Sequence, residues 1–221
     1  MYKQITNNSN STPNGIYQIE ILNLNINQNF NPNYFYINNF KKYKNLLNSL
    51  YENLEAKLIK EAKLTDINTF LPFIPISRYI VSQKIINIFK NSKIPTDIYH
   101  FIEIKIKNTS EKFYILFIAV IPNIDINLSK SKIFKDIDFL NKDKKEIKFS
   151  NHKSYNNRND ELLFIYFENV CIDKKYKSYG IIYIQGISDY FLHINVLKLF
   201  KENKITGYRI PKRQTKLFFC I

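Results

Sequence analysis

The chain has 221 residues, of which 45% are hydrophobic and 15% aromatic, which supplies apolar material for one large domain or two small ones and excludes a disordered chain. It carries 33 basic against 19 acidic residues, a formal charge of +14. The longest apolar run, Ile115 to Ile121, falls far short of the roughly 20 residues that cross a bilayer as a helix, and no basic stretch leading into an apolar one opens the chain. A soluble protein without membrane contact or secretory signal is therefore expected, with the cytoplasm as its compartment.

Of the basic residues 29 are lysine, and only Arg78, Arg158, Arg209 and Arg213 are arginine. Lysine comes together with abundant Asn and Ile, the pattern of an AT-rich coding sequence, so the plain reading is a solvated lysine surface. The sharper reading is an electrostatic footprint for nucleic acid or for an acidic protein. Base and phosphate recognition leans on the planar fork of arginine, whose scarcity weakens the nucleic-acid reading. Cys171 and Cys220 have no CxxC spacing, and they read as two buried free thiols in a reducing compartment rather than as a disulfide.

In chain order, residues 1–14 are polar and aperiodic and read as a disordered lead-in. An N-terminal strand and an amphipathic helix fill 15–65. Tyr17, Ile19 and Ile21, then Leu22, Leu24 and Ile26, alternate with a phase slip, which predicts one strand with a bulge. Phe40, Tyr43, Leu46, Leu47, Leu50, Tyr51, Leu54, Leu58 and Ala62 recur at helical steps and predict a helix over 40–64, with Lys57 and Glu61 as an exposed i,i+4 pair. Pro72 and Pro75 punctuate the approach to a strand at Tyr79–Val81. Ser82 is placed to cap a helix over 82–92, with Ile85, Ile86, Ile88 and Phe89 on its buried face. Ile102, Ile104 and Ile106 alternate with charged residues, a half-buried strand over 97–107 with Phe113–Ile121 as its hairpin partner. Residues 141–159 read as a mobile loop. Strands follow at 162–172 and 181–187, then a helix over 194–203, a closing strand at 208–211 and an apolar tail at 217–221.

Two segments superpose without gaps at a shift of 111 residues. Tyr79-Ile80-Val81-Ser82 lies over Tyr190-Phe191-Leu192-His193. Ile85, Ile86, Ile88 and Phe89 lie over Val196, Leu197, Leu199 and Phe200, and Lys90, Lys93 and Ile94 over Lys201, Lys204 and Ile205. The unit is a β-step, a capping residue, a three-turn helix and a return strand, with Thr206-Gly207 ending the second helix and Pro95-Thr96 the first. The expected fold is α+β: antiparallel sheets with two repeated strand-helix-strand units, 79–107 and 190–211, packed as pseudo-symmetric lobes inside a 66–221 domain, plus the N-terminal helix.

Asp66 ahead of an apolar segment, the Val81-Ser82 helix start, Asp125 with Ser129 after a hairpin, and Thr206-Gly207-Tyr208 after the last helix follow one another in an order that resembles the eleventh numbered family of immunity proteins from bacterial polymorphic toxin systems. The resemblance covers roughly 66–211. The second unit departs from it, with His193 where the family has a capping Ser, and His is a poor cap. The resemblance implies a protein that binds a cognate toxin in the producing bacterium and blocks it, with Asp66, Ser82, Asp125, Ser129, Thr206, Gly207 and Tyr208 as structural motif residues. A lysine-rich surface favours a toxin with an acidic face.

Beside that resemblance, the residues offer no catalytic set, and no enzyme, cofactor or metal is expected. His100, His152 and His193 lack neighbours at metal-ligand spacing; His100 reads as structural, His152 as solvated in a loop, and His193 as a base only if Asp189 or Cys220 lies close. Gly15, Gly180, Gly186 and Gly207 are too dispersed to cradle a phosphate. Asp136-Ile137-Asp138 and Asp160-Glu161 flank lysine-rich loops, where solvation explains them better than a two-metal nuclease. Asp125 and Ser129 fit a turn closing a hairpin. The lysine stretches 141–148, 174–177 and 212–216 could follow a phosphate backbone, with aromatic interleaving only around Tyr176 and Tyr179.

Overall fold

The computed structural model describes residues 1–8, 17–24, 31–72, 74, 76–92, 94–136, 144–156, 165–187 and 189–220. The first element is already a departure from expectation. Strand β1 (Tyr2–Asn7) lies within the segment read as a disordered lead-in. Its polarity hid it: Ile5 and Tyr2 are buried, and so is Gln4, whose amide donates to Asp189 and accepts from Thr215 inside the protein. Strand β2 (Ile19–Ile21) is shorter than the alternating pattern predicted: Leu22 and Leu24 follow it outside any strand, Leu22 exposed, and Ile26 lies outside the described residues.

The long amphipathic helix expected over 40–64 is replaced by two short helices and a strand: α1 (Ile37–Tyr43), α2 (Leu46–Tyr51) and β3 (Glu55–Leu58). Asn53 and Glu61 adopt left-handed backbone angles, φ 58° and 65°, which break the helical path on either side of β3. Leu54, Ala56 and Leu58 satisfy a two-residue period as well as a helical one, and Ala56 is fully buried while Lys57 faces solvent. Lys57 consequently pairs across the sheet with Glu20 at 3.1 Å, not with Glu61. Both partners are about half exposed, so the pair contributes at most a few tenths of a kcal/mol.

Next come β4 (Ile67–Asn68), β5 (Phe70–Leu71), β6 (Ser77–Ser82) and α3 (Gln83–Asn91), where the apolar face Ile85, Ile86, Ile88 and Phe89 is buried as its spacing predicts. The alternating segment forms β7 (Tyr99–Ile106), which returns through Asn108 (φ 65°) into β8 (Phe113–Ile118) as an antiparallel hairpin. The run continues past Ala119 as β9 (Val120–Ile121), which leaves its hairpin partner for another sheet. Strands β10 (Lys132–Asp136) and β11 (Lys144–Ile147) and helix α4 (His152–Asn156) follow; β11 and α4 lie in the segment read as a mobile loop. Then β12 (Ile165–Asp173), β13 (Ile181–Ile184), β14 (Tyr190–His193), α5 (Ile194–Glu202), β15 (Tyr208–Arg209) and β16 (Lys216–Cys220) complete the order. The expected apolar tail is therefore a paired strand.

The class is α+β, built on three sheets with five helices among the described residues. A seven-stranded sheet runs β4-β6-β8-β7-β3-β2-β5, a five-stranded one β15-β1-β14-β13-β9, and a four-stranded one β11-β10-β12-β16. Most pairings are antiparallel, but β3–β7, β2–β5, β9–β13 and β12–β16 are parallel, so the sheets are mixed rather than purely antiparallel. Strand β1 is wedged between β14 and β15, bonded to both. Helices α3 and α5 each have nine residues, begin 111 positions apart, and each follows directly on a strand. The strands preceding them belong to different sheets, and the rings of Tyr79 and Tyr190 meet edge to face at 5.3 Å. No described helix is long and apolar enough to cross a membrane.

The helix ends differ from expectation in an instructive way. Lys204, at φ 50°, ends α5: its amide bonds to the Lys201 carbonyl at 3.0 Å and the Ile205 amide to the Phe200 carbonyl at 2.9 Å, the double closure of a Schellman turn. Gly207 is left free for another task. At the other end, His193 does cap α5, with Nδ1 accepting the Asn195 amide at 3.3 Å. Ser82 makes no side-chain cap bond to α3, because its hydroxyl is engaged elsewhere.

Cys171 and Cys220 are bonded to each other rather than standing as free thiols. Parallel pairing of β12 with β16 sets Cys171 opposite Phe218 and Asp173 opposite Cys220, which brings the two Cα atoms to 5.8 Å across 49 residues of sequence. Closing a loop of that length is worth about 4 kcal/mol by the chain-entropy relation. Non-reduced protein, unfolded and alkylated, should show no modified cysteine by mass spectrometry, whereas Cys171→Ser should lower stability by up to that amount in urea titrations with a free thiol at Cys220.

Candidate functional site

Four of the residues that carry the immunity-family resemblance converge on one carboxylate. Asp66 precedes β4 at the edge of the seven-stranded sheet, and its side chain is 8% exposed. Ser82, at the end of β6, donates its hydroxyl to Asp66 Oδ1 at 2.7 Å. From 140 residues away, the Thr206 amide donates to Oδ2 at 3.0 Å and the Thr206 hydroxyl to the same oxygen at 2.9 Å. The Asp66 amide in turn donates to Thr206 Oγ1 at 3.1 Å. Lys84 Nζ stands 3.5 Å from Oδ1 at the solvent side. Burial alone would push this carboxyl up. The hydrogen bonds from Ser82 and Thr206 and the charge of Lys84 outweigh it, and the pKa is held below the usual carboxylate value.

Gly207 completes the joint by close approach. At φ +87°, a Cβ there would lie 2.2 Å from the Ile67 carbonyl oxygen and 2.3 Å from Thr65 Oγ1. The missing side chain lets the Ile67 amide reach the Thr206 carbonyl at 3.2 Å, and the Gly207 carbonyl accepts the Asn8 amide at 3.1 Å just beyond β1. Tyr208 follows in β15 with its ring edge-on to Phe200 of α5 at 5.3 Å. Behind the joint, Gln18 and Asn68 are fully buried and interlocked: Gln18 Nε2 donates to Asn68 Oδ1 and to Thr65 Oγ1, both at 3.1 Å, and Asn68 Nδ2 to the Thr65 carbonyl at 2.7 Å. The joint is thus a hydrogen-bonded weld between the edge of one sheet and the strand that opens the other. It has no free acid, base or nucleophile.

Asp125 and Ser129, also part of the pattern, make their bonds elsewhere. Asp125 accepts a short hydrogen bond from the Tyr176 hydroxyl and lies 3.8 Å from Lys175 Nζ. The turn expected between Asp125 and Ser129 is organised by Asn127 instead, whose side-chain oxygen accepts from Ser129 Oγ at 2.8 Å and from the Lys130 amide at 3.1 Å.

A second polar cluster, unmarked by any local sequence pattern, lies at the seam of the two larger sheets. In β6, Ser77 pairs with Phe117 and Tyr79 with Leu116, so Arg78 is the extra residue of a bulge. Its amide donates to the Tyr190 hydroxyl and its Nε to the Tyr183 hydroxyl, both at 3.2 Å. The buried Tyr190 ring stands edge-on to Tyr79 at 5.3 Å and to Tyr183 at 5.0 Å. Asp189 lies nearby, its carboxyl raised by burial against the opposing pull of Thr6, Arg78, Gln4 and Arg209. Only a bulge reveals such a residue, and a bulge is invisible without the strand register.

The histidines are engaged structurally. His100 Nε2 lies 2.7 Å from Asn48 Oδ1, and burial together with Lys44 lowers its pKa. His152, expected in a solvated loop, begins α4 and donates from Nε2 to the Ile126 carbonyl at 2.9 Å. His193 spends Nδ1 on its cap and packs edge-on to Tyr2 at 5.1 Å, while Asp189 is held by Gln4 and Cys220 by Cys171. Among the described residues no group of three or more His, Cys, Asp or Glu could hold a metal ion. Asp136 ends β10 opposite Lys144; Asp138, Asp160 and Glu161 lie outside the described residues.

No protein-family model matches this sequence, and no curated protein matches it.

Asp66→Ala strips three donors of their acceptor in a buried place and should cost about 3 kcal/mol in urea unfolding. Because the folded carboxyl titrates below its unfolded counterpart, the contribution of Asp66 is fully present above about pH 4 and is lost as the pH falls through the lowered value. The stability gap between wild type and Asp66→Asn should therefore narrow on acidification; a gap that stays constant down to about pH 2 would remove the charge from the account. Gly207→Ala should cost at least about 3 kcal/mol or prevent folding, read by the same titration.

Proposed function

We propose that this chain is a binding module, an immunity protein that captures and neutralises a cognate polymorphic toxin in the cytoplasm of the producing bacterium, and that it is not an enzyme. The observation that carries the reading is the meeting of Asp66, Ser82, Thr206 and Gly207. These residues are scattered over 140 positions, and their order is what resembles the eleventh immunity family. A pattern that assembles into one buried joint is explained as the scaffold signature of a fold, whereas a chance pattern has no reason to meet. The motif residues then serve the scaffold, and the contact surface lies elsewhere.

In this reading the two strand-helix units are pseudo-symmetric twins. Equal helices 111 residues apart, with Tyr79 and Tyr190 meeting ring to ring, support it. Their outer faces are lysine-bearing, which suits a partner with an acidic face; charge of this kind raises the association rate and rejects wrong partners more than it sets affinity. The Cys171–Cys220 bond runs against the cytoplasmic part of this reading, since disulfides persist mainly in oxidising compartments.

Co-expression with the adjacent reading frame should yield a stoichiometric complex that survives gel filtration, and should rescue cells from the toxicity of that frame expressed alone. An adjacent frame without toxicity, together with no retained partner, would sink the reading.

A further inference from the structure

Strand β16 is the outermost strand of the four-stranded sheet and, among the described residues, pairs with β12 alone. Its side chains divide by the two-residue period of a strand. Leu217 and Phe219 lean on the core that holds Val170 and Ile172 of β12, with the Phe219 ring 5.5 Å from that of Tyr2. Lys216, Phe218 and Cys220 alternate to the other face, where Phe218 is 48% exposed. The non-covalent hold on β16 is therefore one parallel ladder, the weaker kind of pairing, and two half-buried side chains.

The strand is fastened at both ends. Just before it, the Thr215 amide donates to Gln4 Oε1 at 2.8 Å and the Thr215 hydroxyl to the Phe167 carbonyl at 2.7 Å, which ties the chain to β1 and β12. At its far end Cys220 is bonded to Cys171 of β12. With that bond in place β16 cannot leave β12. Without it, the strand can swing out from the tie at Thr215, opposed only by its ladder and by Leu217 and Phe219.

The bond lies on the face of the sheet turned away from this core. Val170 and Ile172, on either side of Cys171 in β12, are fully buried in the core, so Cys171 alternates to the opposite side, where Cys220 meets it. There Cys220 lines an open cavity of about 760 Å³ together with Asn127, Leu128, Ser129, Asp173 and Lys174. Thiol–disulfide exchange depends on which sulfur the attacking thiolate can reach. Cys171 is 6% exposed and lines no part of this cavity, whereas Cys220 is 9% exposed and does, so a small reductant meets the Cys220 sulfur first without crossing the core.

We infer that the Cys171–Cys220 bond is a redox latch: a dithiol reductant opens it in the folded protein and releases β16 from β12. A thiolate of the reductant attacks Cys220 Sγ, the S–S bond breaks, and Cys171 Sγ leaves with the electron pair and takes up a proton. The second thiol of the reductant then displaces Cys220 Sγ from the mixed disulfide. The protein gains two electrons and two protons as two thiols, and the dithiol is oxidised to its own disulfide. Departure of β16 bares the edge of β12 over residues 169–173. The inference goes beyond the immunity reading and does not depend on it.

The test is hydrogen exchange read by mass spectrometry on the full chain, oxidised and after dithiothreitol treatment without denaturant, with the thiols counted by alkylation. Reduction should make both cysteines alkylatable and speed exchange across β16 by at least about tenfold, while the β7–β8 hairpin keeps its protection. Cys171→Ser/Cys220→Ser should exchange as the reduced protein does and be indifferent to dithiothreitol; the oxidised and reduced wild type carry the comparison if that variant does not fold. Three results overturn the latch. The cysteines are free before any reductant is added; or the bond is reduced no faster than the β7–β8 hairpin opens, which makes it a staple reached only by global unfolding; or thiols appear in the folded protein while β16 keeps the exchange rate of the oxidised form. None of these outcomes reads toxin capture, so the immunity reading stands or falls by its own co-expression experiment.

Discussion

A carboxylate buried in a seam must be satisfied or it will unfold what surrounds it. Asp66 is satisfied by residues 140 positions away, and this single requirement fixes how the two larger sheets are joined. Thr206 cannot reach Asp66 unless the backbone at residue 207 lies flush against the Ile67 carbonyl, which only glycine permits at φ +87°. Once the chain leaving α5 is held there, β15 emerges in the place where β1 needs a partner, and the Gly207 carbonyl takes the amide just beyond β1. The five-stranded sheet is in that sense hung from the edge of the seven-stranded one by one charged side chain and its donors.

Where a sequence feature depended on neighbours along the chain, it could be read. Helices α3 and α5 have apolar faces at helical spacing, and β7 alternates isoleucine with charged residues; each forms where its periodicity places it. The segment 40–64 shows the limit of that reasoning, because Leu54, Ala56 and Leu58 fit both periods and the breaks at Asn53 and Glu61 fall at residues other than glycine or proline, which do not mark themselves as helix breakers. Features that depend on distant partners left no local trace. β1 is polar because its one buried amide, Gln4, bonds to Asp189 and Thr215 near the far end of the chain. The cysteine pair needs the β12–β16 register, which no spacing between the cysteines encodes. Of the site, the motif residues were visible but their meeting was not, and the place of Arg78 emerged only with the strand pairing.

Ser82 and His193 show how position and chemistry separate. Both stand at a helix start, and residue preference alone would give the cap to serine and deny it to histidine. The structure does the opposite, since the serine hydroxyl has a charged acceptor in Asp66, a stronger demand than a backbone amide, while the neutral imidazole nitrogen has nothing better than the Asn195 amide. A poor capping residue is thereby accommodated without loss of the helix.

The placement of β1 has a consequence for biosynthesis. Residues 2–7 are made long before their hydrogen-bonding partners, residues 190–193 and 208–209. As the nascent chain emerges, the seven-stranded sheet can collapse on its local hairpin, but β1 must wait with both of its edges open while the intervening residues are made. Such a delay is the circumstance in which unpaired strands meet the wrong neighbour. The polar make-up of β1, which conceals it from a reader of the sequence, also keeps it soluble until its proper flanking strands arrive.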